Sequence, residues 1–465
     1  RLTETGAIFI TPQQQTEFYI GFSFASPDKA KTYCRIIAGK GFDVVNRETR
    51  HCWNEHLGRF RIEGGTKEQQ SLFYSCLYRS LIKPCDISDD SGEPDFYDFA
   101  TLWDQYKSQL PLLYSFFPEK GRKIAEYIMN RISTNGTFPN AVLLDNASDR
   151  FYKQASALAV YTLYDAFIRG IVDVSADDML EVMLLDLKGN RYYSQFKEKG
   201  YANAQSHTHS LDLAGACYCV ARIAAIAGCE TVVSEMLRLA DNWKNVYDRR
   251  TGLIKNDSDY YEGTNWNYAF RLMHDMPERI KLGGGDEKFI DTLETFFGYK
   301  DLINENSTFE RVIHNHRFEG LNNEPDMETP YAFIYAGRHD RTAEVLRAVM
   351  NWQYAAGTGG LPGNDDSGGL SSWFVWNAIG LFPVTGQDHV LVGSPLFEHV
   401  EIDLPDASML IESRGNSAKN LYIKELLLNH IPLEQPRIKV GELRKCNKRH
   451  LQIKCHLCLL LLLLD

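Results

Sequence analysis

The sequence predicts a mainly α chain, an (α/α)6-type helical toroid with flanking β segments, and three observations lead there. From residue 64 onward apolar residues recur at helical spacing in segments of about 12–20 residues. Clear segments lie at 101–116, 119–132, 152–170, 176–188, 207–227, 229–246, 264–275, 286–298, 328–337, 339–353 and 370–380. Their connections alternate between short and long and carry turn chemistry, as in DRRTGL and KLGGGDE. Strand-like text is confined to the two ends. About a dozen helices without a motif at fixed period argue for paired helices closed into a ring rather than an open solenoid.

Taken in order, residues 1–45 begin with the alternation EFYIGFSFAS and turn helix-like at PDKAKTYCRIIAG. They read as the last strands of a β domain and its linker. Residues 46–385 hold the helical barrel, beginning at GGTKEQQSLFYSCLYRSLIKP. Residues 386–445 return to strand-like text in HVLVGSPLFEHVEIDLP, SMLIESRG and NLYIKELLLN, a small C-terminal β region. Residues 446–465 form an atypical tail, expected to be non-native or truncated, whose Leu run at 459–464 is too short to span a bilayer. The chain starts at Arg1 without a signal-like segment, as a processed form or fragment would.

With 465 residues, 44% hydrophobic and 24% charged, the composition is that of a globular protein of about two to three domains. A net charge of −11 argues against nucleic acid or an anionic membrane as partner. The 25 Phe, 24 Tyr and 7 Trp suit a carbohydrate cleft and suit core packing equally well. Ten Cys show no disulfide-framework spacing. The stretch Cys446–Cys458, with a C-x2-C and the neighbours His450 and His456, has the look of a zinc knuckle, which the tail's composition argues against. Sequons at Asn135, Asn146, Asn256 and Asn306 permit a secreted or luminal protein.

Three loop-to-helix junctions place acids among Gly, Asn and aromatics: DYYEGTNWNY (259–268), FEGLNNEPDMETPY (318–331) and GNDDSGGLSSWF (363–374). In a helical toroid the loops of one rim converge, so acids far apart in sequence can meet. An inverting glycosidase needs two carboxyls about 6.5–9.5 Å apart, one protonated for the leaving oxygen and one ionised to activate water. Glu262, after Tyr260 and Tyr261 and before Trp266, has a desolvated aromatic setting that favours the neutral form. Asp366, among Gly and polar neighbours at a helix start, fits the ionised role. The bland reading stands beside it: an Asp before a helix is commonly an N-cap worth about 1 kcal/mol, and Glu324 equally fits a turn.

At these loops the chain resembles glycoside hydrolase family 92, the calcium-dependent exo-α-mannosidases that invert anomeric configuration. The resemblance covers about residues 18–430 and rests on GGTKEQQSLFYSCLYRSL, YDFATLWDQYKSQLPLL, EGTNWNY, NNEPDMETPYAFIYAGRHDR, LPGNDDSGGLSSWFVWNAIGLFPV and VGSPLFEHVEIDLP, in the family's order. It implies Glu262 as general acid, in E-G-x-x-W-x-Y with Trp266, and Asp366 as general base with Asp365 the alternative. It implies that Glu324 lies toward the leaving-group side and that Trp103 and Asp104 bind the terminal mannose, Trp266 joining the substrate-binding set. It implies a Ca2+ cofactor near Glu324, Asn323, Asn364 and Asp366, mannose-containing N-glycans or mannans as substrate, and a secreted, periplasmic or luminal location.

The departures from the family are specific. Only the last strands of its large N-terminal β-sandwich fit in residues 1–45. Lys107 stands where many members have Arg, Leu158 where many have His, and Asn323 and Asn364 differ from the His and Asp of members selective for α-1,2 linkages. A catalytically idle mannose- or glycan-binding relative, missing one wall of its site, is the alternative. A lyase would want a Tyr/His or Arg pair near a uronate, and three acidic loops argue against that.

Overall fold

A computed structural model of the chain describes residues 16–23, 25–88, 96–142, 151–203, 206–301, 321–405, 407–444 and 448–456. It divides into a small unit, residues 1–58 with 86–96, and a large one, residues 59–85 with 97–465.

In the small unit, Ser26 caps the helix Pro27–Lys40 by accepting from the Lys29 N–H, and Pro27 supplies the fixed φ that suits a first turn. Gly41, at φ 77°, turns the chain into a second helix, Phe42–Leu57. That helix runs unbroken through position 45, where the sequence suggested a boundary. The alternating stretch at 16–23 forms no strand, so the expected β remnant is absent among the described residues. Alternation marks a chain able to join a sheet, but a strand exists only where a neighbour satisfies its N–H and C=O groups.

The large unit is the ring. Helices Gln109–Phe116, Leu158–Ile168 and Gly369–Ala378 are apolar on nearly every side and almost wholly buried. Helices Pro118–Asn135, Glu230–Ala240, Asp286–Phe296 and His339–Trp352 bury one stripe and expose the other. The first ring helix, Lys67–Ser80, carries a capping box of Thr66 and Gln69 and packs against the late helix Gly369–Ala378, which closes the ring. Burial of Phe73, Leu113, Leu163, Trp373 and Phe374 fills the middle, each such side chain worth about 1.5–3 kcal/mol.

Two expected helices are broken, for local reasons. The segment 101–116 splits into Leu102–Gln105 and Gln109–Phe116. A continuous helix would put Pro111 in its interior, where it removes a hydrogen bond; restarting at Gln109 places it in a first turn. The segment 264–275 stops at Ala269, and Asp275 then caps Met276–Leu282 through the Glu278 N–H with Pro277 in the first turn.

Beyond the ring, strands form a six-stranded sheet ordered 60–63, 399–404, 407–414, 448–456, 422–428 and 431–432, with a three-stranded sheet beside it. Phe60–Glu63, which the sequence reading left unassigned, pairs antiparallel with His399–Leu404, Phe60 opposite Ile402. Lys448–His456 lies inside the sheet, parallel to Ala407–Arg414 and antiparallel to Tyr422–Leu428. The expected atypical tail therefore begins with a structural strand.

Along that strand Leu451, Ile453 and Cys455 are buried, while His450 on the other face bonds Glu412 at 2.6 Å. His450 and Cys455 point to opposite sides of the sheet and cannot ligate one ion. Cys446, Cys458, the Leu run, Asn146 and Asn306 lie outside the described residues. No helix among the described residues is long and apolar enough to cross a membrane.

Candidate active site

Four segments bring carboxylates together at one rim of the ring. The first is the turn at Thr101. Its side chain caps the helix by accepting from the Asp104 N–H at 3.3 Å, and its hydroxyl also donates to the Asp104 carboxylate. The other carboxylate oxygen accepts from Ser367 at 2.9 Å. Trp103, 2% exposed, stacks on Tyr106 and meets Tyr261 edge-on, each at 6.0 Å between centroids.

The second segment is GNDDSGG. Asp366, Ser367 and Gly368 take left-handed φ values of 46°, 55° and 95° in succession. Such a run costs free energy for the two non-glycine residues and holds only because the surroundings determine it. The next residue must be glycine, since a Cβ at Gly369 would meet the Asp104 carbonyl oxygen at 2.4 Å.

The two aspartates separate in role. Asp365 accepts the Ser371 N–H at 3.0 Å, satisfying a free donor of the following helix, and lies 3.5 Å from the Arg79 guanidinium. The cap reading thus fits Asp365. On Asp366 act only burial and the charges of Asp104, Glu262 and Asp365, which push its carboxyl up to about 7.

The third segment carries Glu262, also left-handed at φ 45°. Thr264 caps the helix Asn265–Ala269 in a capping box with Asn267, whose amide donates to both oxygens of Asp326 at 3.1 and 3.2 Å. That bond staples this loop to the fourth segment, NNEPD. The enclosed setting expected for Glu262 is not what the fold provides. Glu262 is exposed, the Tyr260 hydroxyl donates to the Lys255 carbonyl, and part-exposed Trp266 stacks on Phe296. The turn at positive φ redirects the chain, so aromatic neighbours in sequence are not walls in space. Tyr261 stays close, its phenol held well above its ordinary value by burial and by the Glu262 charge.

In the fourth segment Asn323 accepts the Glu324 N–H at 3.0 Å and donates to the Glu262 carbonyl at 3.2 Å, bracing the two loops. Glu324 is 1% exposed, and its Oε1 has no hydrogen-bond partner among the described residues. Burial, and then the charges of Asp104, Asp366 and Glu262, hold it well above the usual carboxylate range. Asp104 is raised by burial, against the bonds from Thr101 and Ser367, and the Glu262 charge adds to the rise.

Asp104, Glu262, Glu324 and Asp366 thus form one electrostatic cluster, in which burial and the neighbouring charges oppose ionisation of Asp104, Glu324 and Asp366. Asn364 is exposed beside it. Among the described residues no three Asp, Glu, His or Cys side chains converge as metal ligands. Lys107 is paired with Glu328, its Nζ 3.0 Å away and both groups buried; burial lowers its pKa, and the charges of Glu328 and of Glu324 in the cluster oppose that fall.

Sequence reasoning passed over Ser367, Asn267 and Asp326. A Ser between an Asp pair and two glycines, or an Asn at the third helical position after Thr, carries a local signal. The partner across the rim has none.

The chain is similar to known proteins along most of its length. The glycosyl hydrolase family 92 catalytic domain model matches residues 29–454. A protein of the fungus Arthroderma benhamiae described as an uncharacterized secreted glycosidase is 24% identical over 88% of this chain and 57% of its own length. An inverting mannosidase of family GH92 from Bacteroides thetaiotaomicron VPI-5482 superposes with a TM-score of 0.81 at 25% identity, over 93% of this chain and 65% of that one. A GH92 α-mannosidase from Bacteroides thetaiotaomicron shares the fold with a TM-score of 0.82 at 21% identity, over 93% of this chain and 61% of its own; it is also known with mannoimidazole bound. The chain therefore spans under two thirds of the length of each of these relatives. By the match of the catalytic-domain model over most of its length, the chain belongs to glycoside hydrolase family 92.

Proposed function

We propose that this chain is the helical part of an exo-acting, inverting α-mannosidase that removes terminal α-linked mannose from N-glycans or mannans. The observation that carries the reading is the convergence of Asp104, Glu262, Glu324 and Asp366, from four separate segments, on one another's charges. Glu262 is the general acid, giving its proton to the glycosidic oxygen as the C–O bond breaks. Asp366 is the general base, taking a proton from the water that attacks the anomeric carbon from the opposite face, so the sugar leaves as β-mannose. Asp104, oriented by Thr101 and Ser367, and Glu324 hold sugar hydroxyls. Buried Trp103 backs Tyr261, and part-exposed Trp266 offers an apolar face for the sugar beyond.

The residues fit Ca2+ in one respect: the unpartnered Oε1 of buried Glu324, in a cluster of hard oxygen donors with excess negative charge, matches what that ion takes. We assign Glu324 and Asp366 as its carboxylate ligands, with Asn323, Asn364, main-chain carbonyls and waters for the rest of the shell. When bound, Ca2+ supplies positive charge that orients sugar hydroxyls and lets the neighbouring carboxylates stay ionised. The described relative that is a secreted glycosidase, and the exposed sequons at Asn135 and Asn256, support a secreted or luminal location.

The test is mannose release from a panel of α-linked mannobioses, followed by NMR of the first-formed anomer, with and without a chelator. Chelator-sensitive release of β-mannose is expected. Release of α-mannose would overturn the inverting mechanism, and silence across the panel from a chain extended at its N-terminus would favour the binding-only alternative.

A further inference from the structure

The stretch E-G-x-x-W-x-Y runs from Glu262 to Tyr268, and the reaction assigned above gives its last residue no task. Glu262 itself is exposed. A surface carboxyl is not held by walls of packed side chains, yet a general acid has to lie within hydrogen-bond reach of the oxygen it protonates. Its aim then depends on the backbone that carries it.

Tyr268 is 3% exposed, and its hydroxyl donates to the Tyr261 carbonyl at 2.6 Å. That carbonyl belongs to the peptide plane entering Glu262. The plane leaving Glu262 is held as well, since its carbonyl accepts from the Asn323 amide at 3.2 Å. Peptide units are planar, so fixing the planes on both sides of one Cα sets φ, ψ and the direction of its Cβ. Glu262, at φ 45°, sits in a conformation that a non-glycine residue keeps only when its surroundings determine it.

The tether is itself anchored. Tyr268 lies on the short helix Asn265–Ala269, where Asn265 donates to the Ile254 carbonyl at 3.1 Å and Asn267 to Asp326. The Tyr268 ring packs against Tyr260 at 5.5 Å between centroids. Helical side chains lean toward the N-terminus, so a tyrosine one turn into this helix reaches back over the loop before it. Burial, and then the Asp212 charge, hold the Tyr268 phenol well above its ordinary value, so it keeps the proton it donates.

We propose that Tyr268 is a positioning residue of the reaction: its hydroxyl aims Glu262 at the leaving oxygen by fixing the Tyr261 carbonyl. The inference rests on the reading of Glu262 as general acid. Tyr268 touches no substrate and acts only through the backbone of the acid. A phenylalanine would fill the same space without a donor, and the turn would be free to relax from its left-handed φ.

Tyr268→Phe deletes one oxygen and leaves the ring in place. Its kcat on a mannobiose is expected to fall about tenfold, the weight of one hydrogen bond, with KM little changed. An aryl mannoside with an acidic leaving group, which needs little protonation, should be cleaved at nearly the wild-type rate. Equal slowing on both substrates, or none, overturns the proposal. Glu262→Gln is measured beside it: a loss that depends on the leaving group there but not in Tyr268→Phe sinks the tether alone, whereas equal losses in Glu262→Gln remove the acid and the tether with it. Hydrogen exchange across residues 259–268 needs no turnover; it should rise in the folded Tyr268→Phe variant, and unchanged exchange overturns the proposal.

Discussion

Asp365 and Asp366 are adjacent and chemically identical, yet only one of them is bound up in helix capping. Asp365→Ala removes the acceptor for the Ser371 N–H and the neighbour of Arg79, so it is expected to cost about 1 kcal/mol of stability. Asp366→Asn removes one of the mutually repelling charges, so it should hold or slightly raise the melting temperature at neutral pH while lowering kcat by about 10²–10⁴-fold. Paired melting curves and steady-state rates check this; a slow but unstable Asp365 variant beside a fully active Asp366 variant would reverse the two roles. Glu262→Gln should lose a similar factor on a mannobiose, whose leaving alcohol needs a proton, and far less on an aryl mannoside with an acidic leaving group. Equal losses on both substrates would remove Glu262 as the acid.

Among the elements, the outer helix Ala176–Gly189 is tied to the loop that follows the helix Pro118–Asn135 by one carboxylate oxygen. Asp186 Oδ1 accepts from Thr137 Oγ1 at 2.9 Å and from the Phe138 N–H at 2.7 Å. Burial nonetheless pushes its carboxyl up to about 6. A folded state that holds a proton more tightly than the unfolded chain loses stability as pH rises from the unfolded value, near 3.9, to the folded one, and the loss then stays constant. Asp186→Asn keeps an oxygen for both bonds without the charge. It is expected to stabilise the protein by on the order of 2 kcal/mol at pH 8 and by little near pH 4. Denaturant melts at the two pH values measure the difference, and a pH-independent loss of stability would contradict the account.

For the large unit as a whole, the C-terminal strand is the closing piece. Removing Lys448–His456 would leave Ala407–Arg414 and Tyr422–Leu428 with open edges, and the buried side chains of Leu451 and Ile453 would be lost with it. A chain ending at Arg444 is expected to aggregate through those edges. Size-exclusion chromatography decides: a monodisperse peak with an unchanged melting temperature would show the strand to be dispensable. Leu451→Asp, at a position 2% exposed, should destabilise in the same direction without shortening the chain.

The sequence by itself determined the helical segments of the ring, their order and the loops that hold the acids. Those features depend on residues within a turn or two of one another, and helical periodicity reports them directly. Only the tertiary structure decided that Asp365 caps while Asp366 stays free, that Glu262 is exposed, and that Glu324 is the buried acid. It also decided that residues 16–23 form no strand and that Lys448–His456 sits inside a sheet. The physical reason is common to all of them. A carboxyl's environment, like a strand's hydrogen-bond partner, comes from residues far along the chain: Asn323 beside Glu262, Ser367 on Asp104, Ile402 opposite Phe60. Local pattern shows which residues can take a role, and the closing of the ring selects which of them do.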